Sequence, residues 1–304
     1  MKRRAINLFA VGCIVLGIIG LFVFGFKPLG WWPGSETAAD MPANAAEAED
    51  YTLYKYSHSI DIDDSLKDLI LDANLGDMEI NWIIDGENRI ELSGQAIPSV
   101  IKNIQETKVQ GGTLSIKYNY KRQLWENIQL FNFNSNQHKH VVDIHVSKEY
   151  VLDQLNIALA MGKLSMNGGN VKQLTADCDM GEVILGNITA DMVELDAAMG
   201  SVKTDHVDAP VRVKASMGEV DLRNTQQSVE VTANAGSINI QQAKAHNIDA
   251  ESDMGSVIIK VAPEFEGLYD LRVNLGDINA PQSKNKSDQI IKVRADLGSI
   301  NIIE

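Results

Sequence analysis

Hydrophobic patterning divides this chain into three stretches of different character. Ile6 to Phe26 is a run of 21 residues without a charge. Coiled as an α-helix it would measure about 31 Å, the thickness of a hydrocarbon core of about 30 Å. Residues 33–50 (PGSETAADMPANAAEAED) show no apolar periodicity and read as a flexible acidic linker, so 27–50 separates the span from the rest. From residue 51 onward, apolar and polar positions alternate in short runs. That is the period of a β-strand with one buried face.

The alternation is organised by glycine. A glycine preceded by Met, Leu or Ala and followed two residues later by an aliphatic recurs nine times, at Gly76, Gly162, Gly181, Gly200, Gly218, Gly236, Gly255, Gly276 and Gly298. The last eight are 19, 19, 18, 18, 19, 21 and 22 residues apart. Equivalent positions form columns. Five residues before the glycine stand Ile157, Leu195, Val213, Val231 and Val293. Three before are small residues such as Cys178, Ala197, Ala215 and Ala233. One before are Met161, Met180, Met199, Met217 and Met254, replaced by Ala235, Leu275 and Leu297 in other copies. Two after come Leu164, Val183, Val202, Val220 and Ile300.

The apolar positions flanking each glycine are three apart rather than two, so the chain must bend there. Glycine suits such a corner because it adopts φ > 0 without a Cβ clash. One strand–corner–strand unit cannot bury its apolar face alone, whereas stacked copies can. The expected fold is therefore all-β: a parallel β-solenoid with coils of about 19 residues, about 4.8 Å apart, preceded by one transmembrane helix. A right-handed β-helix is favoured, because the hexapeptide repeats of the left-handed form are absent. A β-sandwich of hairpins is the rival architecture, but the matching columns favour in-register parallel stacking. The regular repeats occupy 151–304. Residues 51–150 hold the first coil or coils with an irregular β insertion: strand-like runs at Arg89–Ser93, Thr113–Tyr120 and Val141–Ser147, and an Asn-rich loop at Asn127–Gln137.

Charge adds a topology. The formal net charge is −14, yet residues 1–27 carry four cations (Lys2, Arg3, Arg4, Lys27) and no acid, which leaves −18 on the remainder. The basic end, residues 1–5, precedes the apolar run, so the positive-inside rule places the N-terminus in the cytoplasm and the repeats outside. Trp31 and Trp32 follow where indoles favour the headgroup interface. A cleaved signal peptide is disfavoured by the length of the run and its Phe24-Gly25-Phe26-Lys27 end. A lipoprotein reading through Cys13 is disfavoured because Cys13 lies in mid-run. The acidic body excludes a nucleic-acid binder, and two distant cysteines exclude a disulfide scaffold.

Candidate chemistry is sparse, and no catalytic, cofactor or metal set emerges. Acidic residues gather near the corners (Asp179, Glu182, Glu219, Asp253, Asp277, Asp296), but the glycine-rich nonapeptide of calcium β-rolls is absent, so they read as a solvated face. His138, His140 and His145 are close in sequence, and His-x-His on a strand would put two rings on one face. Their polar setting points to incidental histidines. The methionine column alternates with Leu and Ala, so it reads as a ladder in the core rather than a soft-metal site. Cys178 stands where other copies have Ala and reads as a buried, inert thiol.

The pattern Leu155-Asn156-Ile157 … Met161-Gly162-Lys163-Leu164, followed by repeated Met-Gly-Glu/Ser-Val, resembles the bacterial membrane-anchored "putative adhesin" β-strand-repeat family over about residues 51–304. The resemblance implies a β-solenoid, a cell-envelope location and an association with envelope-stress systems. It brings no catalytic motif. The expected role is non-enzymatic: an anchored acidic rod that binds an envelope component or partner protein. A polysaccharide-active β-helix enzyme and a purely structural spacer are the alternatives. The chain stops inside its last repeat, at Ile300–Glu304, without an evident cap. Self-association or a partner protein is therefore expected to cover the C-terminal coil edge.

Overall fold

The computed structural model describes residues 52–63, 65–120 and 138–304. The predicted span at 6–26, the linker, Trp31, Trp32 and the Asn127–Gln137 loop lie outside the described residues. Among the described residues no helix is long and apolar enough to cross a membrane.

The described chain is almost entirely β. It contains strands β1 (Tyr54–Asp61), β2 (Asp68–Ala73), β3 (Asp77–Ile84), β4 (Arg89–Ala96), β5 (Thr113–Tyr118), β6 (Lys139–Val146), the long winding strand β7 (Leu152–Asp208), β8 (Val211–Met217), β9 (Val220–Thr225), β10 (Val229–Ala235), β11 (Ile238–Gln242), β12 (Ile248–Met254), β13 (Val257–Lys260), β14 (Leu268–Leu275), β15 (Ile278–Asn279), β16 (Ile290–Leu297) and β17 (Ile300–Ile303). One helix, α1 (Pro98–Glu106), interrupts them. From β7 onward pairing is parallel and its columns stay aligned. Val211, Val213 and Ala215 lie beside Val229, Val231 and Ala233, which lie beside Ile248, Ala250 and Ser252. The strands form a solenoid in which the positions five and three before each glycine other than Gly276, and two after it, are buried; Val202, Val213, Val220 and Ile300 are fully so. Each such aliphatic contributes roughly 1.5–3 kcal/mol on leaving water.

The corner depends on backbone geometry. Gly218 has φ 145°. A Cβ there would lie far inside van der Waals contact with the carbonyl oxygen of Gly200, the glycine of the coil beneath. The same contact relates Gly181 to Gly162 and Gly236 to Gly218. From Gly162 onward every corner therefore stacks on that of the adjacent coil, and no larger residue fits.

The ends depart from the sequence expectation. At one end, β4 and β1 close the sheet by antiparallel pairing, β4 on β6 and β1 on β4. Helix α1 packs on β5 and β1, burying Val100 and Ile104, one turn apart on a single face. At the other end the coils are out of sequence order. Strand β16 pairs with β12 on one side and β14 on the other, and β17 lies between β13 and β15. The C-terminal coil is thus inserted inside the stack. The expectation that the chain's last coil forms the open edge is corrected: the edge belongs to β14 and β15. A carboxy-terminal strand with the same columns as its neighbours pairs equally well on both sides, so slotting in satisfies two ladders instead of one.

A Gly218→Ala chain is expected to lose about 3 kcal/mol or more, since forbidden backbone and a steric clash add. The neighbouring, outward-facing Ser216→Ala should stay within about 0.5 kcal/mol. Thermal unfolding followed by far-UV circular dichroism measures both.

Candidate functional site

The corner carries the most unusual surface of the protein. By simple alternation the residue before each glycine should point inward, as expected above for the methionine column. From Gly181 onward it does not. Met180, Met199, Met217 and Met254 are 37, 44, 42 and 46% exposed, and Leu297 and Leu275 are 47 and 67% exposed. The turn begins before the glycine, so this side chain sits on the outer edge of the bend while the position two beyond returns to the core. The core-ladder reading is therefore corrected for the coils from Gly181 onward; at the start of the column Leu75 is buried and Met161 packs half-buried against the core.

Register makes the column continuous. Met199 lies beside Met217, Met217 beside Ala235, Ala235 beside Met254, Met254 beside Leu297, and Leu297 beside Leu275. At about 4.8 Å per coil, the ridge from Met180 to Leu275 runs about 29 Å. Methionine is unbranched and polarisable, so such a ridge adapts to irregular apolar partners. The columns on either side, two before and one after the glycine, contain Asp179, Asp253, Asp296, Glu182, Glu219 and Asp277 among otherwise neutral residues. No Lys or Arg occupies them between Met180 and Leu275. The corner carboxylates singled out in the sequence thus border the ridge. Glu182 is held below the usual carboxylate range by Lys203 at 2.6 Å, with Lys163 at 3.5 Å adding to it. Asp177, on the adjoining face, moves up through desolvation and through its neighbours Asp196 and Asp179. Among the described residues no group of three His, Cys, Asp or Glu is placed to hold a metal ion.

The adjoining face, six residues before each glycine, is instead neutralised by pairs across coils. Arg212 bridges Glu194 and Glu230, each at 3.0 Å, and Lys292 meets Asp249 at 2.6 Å. The largest cleft among the best-formed pockets of this face, about 350 Å³, is a shallow groove beside Arg212, Glu230 and Asp249.

The histidines separate. His140 is fully buried, with its ring 4.3 Å from that of Tyr118 and its Nδ1 sharing a 3.0 Å hydrogen bond with the Tyr56 hydroxyl. Burial, with the nearby His138, pushes its pKa down to about 3. His138 lies edge-on to Tyr120 and is also lowered by burial. His145 meets Asp85 at 2.6 Å, 60 residues away in sequence. The two rings of the His-x-His pair thus pack among tyrosines, while the third joins a carboxylate. Cys178 is buried, and desolvation with Asp177 and Asp179 raises its thiol to about 11, which leaves it unreactive at neutral pH.

Residues 71–299 match the model of the Toastrack domain family, DUF4097. The chain belongs to this family. Solved structures similar to this Toastrack chain include a "putative adhesin" from Bacteroides fragilis, 15% identical, covering 84% of this chain and 99% of that one with a TM-score of 0.46. A "putative cell adhesion protein" from Clostridium sporogenes is 14% identical, covering 83% and 99% with a TM-score of 0.30. A "putative lipid binding protein" from Parabacteroides distasonis is 19% identical, covering 82% and 97% with a TM-score of 0.40. No curated protein matches the sequence.

Because Met217 stands outside the Toastrack core, Met217→Ser should change stability by less than about 1 kcal/mol, whereas Leu222→Ala, fully buried, should cost about 2–5 kcal/mol. Chemical denaturation of the two variants decides. Buried neutral His140 gives a second expectation. Its folded pKa lies below its unfolded value, so its stabilisation is complete above pH 6.5 and is lost as pH falls from 6.5 towards 3. Stability should therefore decline across that window, and less steeply in His140→Asn. Thermal melts at stepped pH test this.

Proposed function

We propose that this Toastrack protein is a non-enzymatic binding scaffold whose working surface is the exposed methionine–leucine ridge. The ridge is apolar, about 29 Å long and bordered by columns that hold carboxylates and no Lys or Arg, Glu182 being paired with lysines from outside them, and this arrangement carries the reading. A complementary partner presents an apolar stripe flanked by Lys or Arg, such as a basic amphipathic segment of an envelope protein or peptide. A helix of about 20 residues has the length of the ridge. The uncharged run Ile6–Phe26 behind Lys2-Arg3-Arg4 supports anchoring by one N-terminal span, with the N-terminus inside and the solenoid held outside the bacterial cytoplasmic membrane by the acidic linker. The acidic body attracts such partners over a range set by ionic strength, and the thioethers supply contact once they arrive.

The test uses the full chain in zwitterionic nanodiscs and a fluorescent Lys-rich amphipathic peptide about 20 residues long. Binding should weaken at least tenfold between 50 and 500 mM salt (roughly 3-fold in Debye length). It should weaken roughly tenfold again in the Met199→Ser/Met217→Ser/Met254→Ser chain, as expected for lost apolar contact of ~1.4 kcal/mol. Binding that ignores both changes overturns the reading.

A further inference from the structure

The two ends of the solenoid are finished differently. One is closed by the antiparallel strands β4 and β1 and by helix α1. At the other, no described strand pairs with the outer side of β14 or β15. The row that is core in every inner coil is laid open there. Val231 and Ala250 are fully buried, but their equivalent in the last coil, Leu271, is only half-buried, as are Tyr269 and Val273, and Ile278 is exposed where Val257 and Ile300 are fully buried. A strand edge with apolar side chains is a template for another strand.

Backbone direction fixes which groups are available. The Leu268 N–H donates to Gln289 of the inner neighbour. By the alternation of a parallel ladder, Leu268, Asp270 and Arg272 face inward to β16, while Tyr269, Leu271 and Val273 face the open side. The Tyr269 N–H, on that open side, donates to Ser283 Oγ at 3.0 Å. The segment carrying Ser283 thus covers the start of this edge, where the Asn285 N–H also donates to Gly267, and leaves the stretch at Leu271 and Val273 open.

The outward side chains of the same strand are self-complementary. Asp270 places Oδ2 on Arg294 Nη2 at 2.6 Å, and that guanidinium is the main cause holding its carboxyl below the usual range. Its Oδ1 lies 3.7 Å from Arg272 Nε, outside hydrogen-bond distance, and the Arg272 side chain is 73% exposed. If β14 meets a second β14 antiparallel about a two-fold axis at Leu271, Asp270 faces the Arg272 of the other copy, and Arg272 faces its Asp270. These opposed positions form the closer, non-hydrogen-bonded pairs of an antiparallel ladder, at about 4.5 Å between Cα atoms. Leu271 meets Leu271 as a hydrogen-bonded pair, and Tyr269 is opposed to Val273, where pairing displaces the Ser283 hydroxyl from the Tyr269 N–H. A two-fold axis normal to the sheet keeps both apolar rows on the same side, so the two cores join. Centring the axis one residue later would oppose Arg272 to Arg272, a like-charge pair that destabilises.

We propose that two copies of this chain associate edge to edge through β14, pairing antiparallel about Leu271 with reciprocal Asp270–Arg272 ion pairs. The contact is isologous and closes on itself, so it yields a dimer rather than a fibre. It touches the ridge only at Leu275, and neither reading depends on the other.

The experiment uses the full chain in detergent micelles, with Cys13→Ala and Cys178→Ala to remove other thiols, and reads mass by sedimentation velocity. The expected result is a dimer at micromolar concentration. Leu271→Cys should give a covalent dimer on mild oxidation, reversed by reductant, because hydrogen-bonded pairs hold Cα atoms about 5.5 Å apart, within disulfide reach. Lys292→Cys, one strand in, should not. Arg272→Asp should raise the dissociation constant at least tenfold with an unchanged melting temperature, and Arg272→Lys should restore most of it. A chain that stays monomeric at tens of micromolar and does not crosslink at 271 overturns the proposal. So does a dimer indifferent to Arg272→Asp and unlinked at 271, which would mean that the copies meet elsewhere and that another segment or protein covers this edge.

Discussion

Everything in this rod depends on the passage of one glycine directly over the carbonyl of the glycine beneath it. The contact between Gly218 and Gly200 leaves no volume for a Cβ and holds the backbone at φ 145°, so register is set at the corner by sterics before any side chain is considered. Once two corners are stacked, the residues three before them must also stack. Small side chains such as Ala197, Ala215 and Ala233 fit that tight inner position, and Cys178 is accepted there as one more small residue. Hydrogen bonds follow the same order: the Gly218 N–H donates to Ala235 at 2.9 Å and the Gly236 N–H to Met254 at 2.8 Å.

The same corner produces the surface. A bend tight enough to stack glycines pushes the preceding side chain out of the core, and repetition turns one displaced residue into a ridge. Charge is then sorted by column. Beside the ridge the acids stand largely without cations, while on the adjoining face Arg212 and Lys292 bridge coils. Stability is spread over neighbour-to-neighbour interfaces, as in other stacked repeats, so a local change in one coil is felt mainly by the coils above and below.

Period, corner glycines and parallel stacking were legible in the sequence because each is a repeated column, and repetition averages out local accident. The methionine column was misread because alternation was extended one residue too far, to a position where the strand has already started to turn. A second corner went unnoticed. Asn187, His206 and Asn224, six residues after their glycines, adopt positive φ of 57, 57 and 52°. Asparagine favours that conformation, and Asn187 and Asn224 were the available signal. The Asn187 side chain donates to Asn167 Oδ1 at 2.9 Å and that of Asn224 to Asp205 Oδ1 at 2.7 Å, which ties this corner across coils. The antiparallel closure by β1 and β4 could not be read, because nothing in Arg89–Ala96 distinguishes direction of pairing. The exchanged order of the last two coils was equally hidden, since Leu275-Gly276 and Leu297-Gly298 fit the same columns. Only the spacings of 21 and 22 residues, longer than the rest, hinted at a detour.

That exchange bears on how the molecule is made. Coils up to Gly255 can each settle on the one before as the chain emerges. The segment from Leu268 to Asn279 has no described strand to join until Ile290–Ile303 exists, because β14 and β15 pair only with β16 and β17. The closing stretch therefore locks as one unit once Ile290–Ile303 has been made. A nascent or prematurely stopped chain would present two unmated borders at once, one on the Gly255 coil and one on the strand waiting beyond it. The last turn acts as a keystone: fitted late, it makes the neighbours on both sides permanent.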